Sequence, residues 1–472
     1  MPDGTVSHSI AGEEILARQR AAFRAEPPPD LATRRAALKR LKQAIGRNRK
    51  RLQDAAREDF GNRASEETAI IDLGPTVQAI SHMRSNLRRW MAVKYRSTPM
   101  LMKPGRARLH YQPLGVVGIM SAWNYPVALA LTPLATALAA GNRAMLKPSE
   151  LAPATADALT ALLTDSFPQD EVAVIQGGPE VAAAFSALPF DHLFFTGSTA
   201  TGRHVAKAAA ANLTPVTLEL GGKSPVILNE DADLALAAGD IAFGKTVNAG
   251  QTCIAPDYLL ARPDQVAPFA EAFSVAIRKS FPKGLADPAL TTIVNDRHLA
   301  RLHTLLDDAR AEGAEIIAPL AASNEAHPRA LGPALILGAT PEMEIMQEEI
   351  FGPLLPILTC ESIEEAAAFV NARPHPLALY IYGQDRTNID ALLTGTISGN
   401  VTVNGAMLHY AVDTLPFGGV GESGMGAYHG VEGFRRLSHA KGVFQPAPHH
   451  GARLLRPPYG KLARMAARFL LR

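Results

Sequence analysis

From Tyr111 to Asn142 the chain carries no charged side chain, and this run constrains the fold more than any other. Its length would let a helix cross a bilayer. Pro113, Pro126 and Pro133, with Gly115, Gly118 and Asn124, interrupt it too often for lipid, where every backbone polar group needs an internal partner. It reads instead as a buried strand over Val116 to Ser121, a loop over Trp123 to Pro126 (WNYP) and a buried helix over Pro133 to Ala140. A strand apolar on both faces belongs to a parallel sheet covered on both sides.

The following segments keep that rhythm. Arg143 to Leu146 reads as a strand closing on Lys147-Pro148-Ser149-Glu150, and Pro153 to Leu163 as a helix with proline in its first turn. Glu171 to Ile175 and His192 to Phe195 read as strands, and Arg203 to Ala211 as a helix. Beyond Gly222 the alternation resumes, with helices at Leu299 to Glu312 and Ile363 to Asn371 and strands at Leu354 to Leu358 and Gly399 to Asn404. Strands alternating with helices predict doubly wound α/β architecture, and 472 residues suffice for two or three domains. Ala107 to Tyr111 is a short strand of a hairpin, and Leu415 to Gly430 a glycine-dense loop returning toward the site.

Charge excludes some functions. Lys+Arg 47 against Asp+Glu 45 leaves +2, too little for a nucleic-acid-binding surface. The first thirty residues hold no apolar run of signal-peptide length, and two cysteines fit a reducing cytoplasm. A helix starting at Pro29-Asp30 shows an apolar face of Leu38, Leu41, Ile45 and Leu52. Its other face, basic from Arg34 and Arg40 through Arg51, is expected to be solvated. The tail from Arg453 has six basic residues and no acidic one, and Lys461 to Arg472 can form a helix with Leu462, Met465, Ala466 and Phe469 on one face. Docking of that face on protein is expected, with membrane contact as the alternative.

The chemistry centres on TVNAGQTCIAPDY, Thr246 to Tyr258. A thiol is nucleophilic as the thiolate, so Cys253 needs a shaped, polar loop, which Gly250, Gln251 and Thr252 offer. Glu219, in LELGGKSP, is flanked by Leu218 and Leu220; partial desolvation would raise its pKa toward the range of a general base. Gly197 and Gly202, in FTGSTATG, stand where a strand meets a helix, whose N-terminus can receive a pyrophosphate with Ser198 beside it. Cys360, in LTCES, reads as structural. The histidines show no ligand spacing, so no metal is expected.

NAGQTC and LELGGKSP resemble the nucleophile and glutamate motifs of the aldehyde dehydrogenase superfamily. The likeness runs from about Pro29 to Phe444, and CIAPDY and SGMGAYHG are similar to its class 3 branch, in particular to coniferyl aldehyde dehydrogenases. The resemblance implies that Cys253 is the nucleophile, Glu219 the base and Asn124 the oxyanion donor, with the Cys253 amide as the second donor. A glutamate at position 219 implies water as the final acyl acceptor. The resemblance also implies that Lys147 and Glu150 hold the adenosine ribose, with Trp123, Ser149 and Leu220 among the cofactor contacts. Glu349 and Phe351, in EEIFGP, would hold the nicotinamide ribose and ring, with Phe417 packed near that pocket. Glu150 beside a ribose 2′-OH favours NAD, with NADP left open.

The expected fold is therefore two doubly wound α/β domains, one Rossmann-like for the cofactor and one catalytic, with a small β oligomerisation element. Residues 1–94 and 114–222 would form the NAD(P)-binding domain, and 223–414 the catalytic domain. Residues 95–113 and 436–446 would supply oligomerisation strands, 415–435 a return segment and 447–472 a basic tail. The expected function is oxidation of an aromatic or bulky hydrophobic aldehyde to its acid by a cytoplasmic homodimer. Its rivals are a thioesterase-like cysteine hydrolase, which requires a histidine partner for Cys253 and no dinucleotide, and a non-catalytic scaffold.

Overall fold

In the computed structural model, which describes residues 4–470, the uncharged run is buried. Val116–Met120 is a strand and Ala128–Ala140 a helix, each buried at every position. The helix begins ahead of the expected Pro133 and carries that proline inside it. Pro133 removes one helical hydrogen bond, but a helix covered all round is held by apolar burial. Asp72 Oδ1 also accepts the Ala128 N–H at 2.6 Å, satisfying one first-turn donor.

The far end of this helix corrects the expectation of a solvated basic face. Arg34 is buried and donates to the carbonyls of Ala139 (3.2 Å) and Ala140 (2.7 Å), whose helical partners are missing. Arg40 likewise turns to protein, pairing with Glu171 at 2.7 Å and lying over the Phe167 ring. Lys39, Arg47, Arg49, Lys50 and Arg51 are exposed.

One sheet runs in the order Gly424–Met425, Val216–Glu219, His192–Thr196, Val116–Met120, Arg143–Lys147, Val172–Val174. All its neighbours are parallel except the two-residue strand of the return segment, which runs antiparallel beside Glu219. Met120 pairs with Lys147 and Phe195, and Thr196 with Glu219, so the strands end level. Their following loops emerge along one edge, where an open α/β sheet binds ligands.

A second sheet runs Glu315–Ile317, Ala334–Leu337, Leu354–Thr359, Tyr258–Ala261, Pro225–Leu228, Ala378–Tyr382, Asn400–Val403. It is parallel apart from its first strand. The expected hairpin strand extends over Arg106–Pro113, at the centre of a three-stranded antiparallel sheet with Lys94–Arg96 and Ser438–Gln445. No described helix is long and apolar enough to cross a membrane.

The tail forms the helix Lys461–Leu470, but the expected docking of its apolar face is not made within the chain. Ala463 is buried, while Leu462, Met465 and Phe469 stay exposed. Residues 1–3 and 471–472, the outer ends of the first predicted domain and of the tail, lie outside the described residues.

Candidate active site

The cysteine loop is built against its own backbone preferences. After the helix Leu234–Thr246 the chain turns through Val247–Gly250, where Asn248 and Ala249 hold φ of +50° and +53° and Gly250 +69°. Left-handed Ala costs on the order of 1 kcal/mol or more, so neighbours must fix it. Glu67 Oε1 accepts the Asn248 N–H at 3.2 Å. Asn248 Nδ2 donates to the carbonyls of Asn124 (2.9 Å) and Gln251 (3.1 Å), and Gln251 Nε2 donates back to Asn248 O at 2.9 Å. A side chain at Gly250 would strike the Gly352 carbonyl. The thiol that follows is therefore presented from a turn with one available shape.

Asn124 is buried in the loop after Val116–Met120, and its Nδ2 donates to Gln251 O at 3.1 Å. Its carbonyl accepts from Arg63 Nη1 at 3.1 Å. Sequence reasoning missed Arg63, which is fully buried, 3.4 Å from Glu67, and faced by the Phe60 and Tyr125 rings. Glu67 thus joins Arg63 to the cysteine turn, and Tyr125 OH meets Thr252 Oγ1 at 2.7 Å across the same two loops. Nothing in GNRASEE marks this pair; Tyr125 at least lies in the singled-out WNYP.

Glu219 ends its strand fully buried, with neither carboxyl oxygen hydrogen-bonded among the described residues. Burial alone pushes its carboxyl well above the usual range, as the apolar flanks predict. Burial, then the nearby Glu349 and Glu219 carboxylates, pushes the Cys253 thiol up to about 12. Glu349 is raised to about 8 by burial and by Asp257, against the opposing effects of the Gly222 N–H, Lys223 and Arg301. Asp257 itself pairs with Lys223 and accepts the Ile350 N–H at 2.9 Å, which ties EEIFGP to the cysteine segment.

A cleft of about 410 Å³ collects most of the predicted residues on one wall system. Trp123, Lys147, Ser149, Glu150, Gly197 and Ser198 line it from the sheet edge. Leu220, Glu349 and Phe351 close it toward Asn124, Glu219 and Cys253. Lys147 Nζ donates to Glu150 Oε2 at 2.8 Å; partial burial works against the Glu150 charge, but this bond holds its carboxyl below the usual range. Ser198 caps the helix Thr199–Ala210, accepting the Thr201 N–H at 3.3 Å. Trp123 stands edge-on to Phe351 (5.4 Å) and to His298 (5.2 Å), another lining residue that no sequence motif marked.

Two predicted contacts fall elsewhere. Gly202 lies on the buried face of the helix Thr199–Ala210, where a Cβ would come within 2.6 Å of Leu220; it serves close packing and does not line the cleft. Phe417 lies away from the cleft, stacked on His429 at 5.0 Å, in the wall of a second cavity of about 280 Å³. That cavity is almost wholly apolar, formed by Tyr125, Leu129, Phe243, Leu408, Tyr410 and Tyr428 among others. The two cavities share Thr196, Glu219, Leu220 and Cys253, so the sulfur sits where they meet.

A thiol where an open cleft meets an apolar pocket, with a buried carboxyl alongside, points to an aldehyde-oxidising class of enzyme. Residues 10–443 match the Aldehyde dehydrogenase family, and the chain belongs to that family. It is 48% identical over 449 residues to the probable coniferyl aldehyde dehydrogenase of Pseudomonas aeruginosa, covering 95% of this chain and 94% of that one. The substrate-bound Staphylococcus aureus AldH superposes with a TM-score of 0.91 at 37% identity, over 97% of this chain and 99% of that one. The Mycobacterium tuberculosis aldehyde dehydrogenase complexed with NAD+ gives 0.84 at 27% identity, over 93% and 91%. The chain is thus an NAD(P)-dependent aldehyde dehydrogenase. The hydrolase reading lapses with this family assignment.

Proposed function

We propose that this enzyme oxidises aromatic or other bulky hydrophobic aldehydes of the coniferyl aldehyde type, using NAD with NADP as alternative. The observation that carries this reading is the apolar cavity that meets the charged-residue-lined cleft at Cys253. A coniferyl-type relative at 48% identity supports the aromatic choice.

The cleft suits a dinucleotide. The exposed N-terminus of Thr199–Ala210 offers N–H groups and a positive dipole end for a pyrophosphate, with Ser198 at its cap. Lys147 and Glu150 would hold the adenosine ribose, and Glu349 Oε1, buried without a partner among the described residues, would take a ribose hydroxyl beside Phe351 and Trp123. When bound, the nicotinamide ring supplies the hydride acceptor.

The remaining roles belong to the chain. Cys253 loses its proton and adds to the carbonyl carbon; the oxygen takes the negative charge, held by Asn124 Nδ2 and the Cys253 N–H. Loss of hydride from that carbon leaves a thioester on Cys253. Glu219, once ionised, accepts a proton from water as it attacks the thioester, and the acid leaves with the thiolate restored. Arg63 and Glu67 keep the Asn124 and cysteine loops in register.

The organisation proposed with this function keeps 1–94 and 114–222 for the cofactor, 223–414 for catalysis, and 95–113 with 436–446 for association into a cytoplasmic homodimer. Segment 415–435 borders the base, and 447–472 is the basic tail. NADH formation with coniferyl aldehyde, benzaldehyde and short alkanals tests the substrate class. The expected order of kcat/KM places the aromatic aldehydes first, and a preference for acetaldehyde would reject it.

A further inference from the structure

The C-terminal helix Lys461–Leu470 is seated the wrong way round for a helix that ends its search for cover on this chain. It packs against the preceding turn of the tail and buries Ala463, which is 7% exposed, while Leu462, Met465 and Phe469 are 58%, 64% and 80% exposed. Those three recur at helical spacing and form one stripe. Lys461, Arg464 and Arg468 flank it along one border, and the sequence has no acidic residue after Glu432. The preceding turn, Gly451–Leu455, approaches the backbone of Leu101, which holds the helix at the surface.

We propose that this helix is a peripheral docking element for an anionic lipid bilayer. Its apolar stripe would enter the boundary between headgroups and acyl chains, and its cations would meet lipid phosphates. Charge complementarity selects this occupant, because Arg453, Arg456, Lys461, Arg464 and Arg468 present a single sign. A second copy of the chain fits worse. A two-fold approach through the helix would bring two cationic tails together, and three side chains cover far less than the ~1,000 Å² of a stable protein interface. An apolar stripe bordered by cations along its length suits a helix lying along the surface.

Flotation of the full-length enzyme with phosphatidylcholine vesicles, with and without phosphatidylglycerol, tests this. The enzyme should float with the anionic vesicles, stay behind with the neutral ones, and be released by high salt. The combined Lys461→Gln, Arg464→Gln, Arg468→Gln variant should partition about tenfold or more weakly. Met465→Ser with Phe469→Ser should abolish flotation, and both variants should keep aldehyde oxidation, showing that they fold. A wild-type enzyme that stays behind with both vesicles overturns the proposal, as does unchanged flotation of the Ser variant. If the wild type stays behind and the Ser variant has a lower molar mass by light scattering, the stripe seats on a second copy and the lipid assignment falls.

Discussion

A carboxyl group buried without a hydrogen-bond partner is costly, and Glu219 is such a group beside the reacting sulfur. Its raised pKa means that the base form grows as pH rises, so thioester hydrolysis should accelerate with pH in the wild type. In Glu219→Gln that rise should disappear, and an NADH burst should precede a phase slower by about 10²–10⁴-fold. Loss of the burst with the fold intact would move Glu219 to thiol activation. Cys253→Ala should lower turnover on the order of 10⁴-fold or more while NAD binding, followed by calorimetry, stays near wild type. Glu349 gives a stability test. Its pKa rises from 4.5 to about 8 on folding, so its contribution is full at low pH and is lost as pH climbs between those values. The gain in Tm of Glu349→Gln over the wild type should therefore widen from pH 5 to pH 8; a constant difference would contradict the burial of that carboxyl.

At the scale of elements, what could be read in advance was whatever local pattern carries. The strands Val116–Met120, Arg143–Lys147 and His192–Thr196 were legible because burial on both faces leaves them apolar and glycine or proline marks their ends. The start of Ala128–Ala140 was not, because Pro133 carries a strong first-turn signal that complete burial overrides. The cysteine turn was placed by its motif, but its left-handed Ala249 has no sequence signature; it exists because Glu67, Asn124 and Gly352 leave no other shape. Arg63 was illegible because the Asn124 carbonyl that it holds lies on a remote segment. Arg63→Met should cost about 3–5 kcal/mol of stability, having stranded Glu67 in the interior, and should lower kcat more than it weakens NAD binding. Wild-type kcat in a thermally weakened variant would leave Arg63 with no part in aligning Asn124.

For the whole molecule, the sheet of Lys94–Arg96, Arg106–Pro113 and Ser438–Gln445 has its last strand at an edge, with mostly exposed residues. A free edge invites a second chain. Light scattering should give close to twice the 50.3 kDa chain mass, and a monomer at micromolar concentration would reject the homodimer. The position of Cys253 in the common wall of two cavities has a consequence for traffic through the enzyme. On the proposed assignment, fuel and oxidant would arrive by separate roads, and their spent forms would depart by the same separate roads. Neither has to queue behind the other, so the carboxylic acid should crowd out aldehyde without crowding out NAD, and a slow departure on one side leaves the other side open for business.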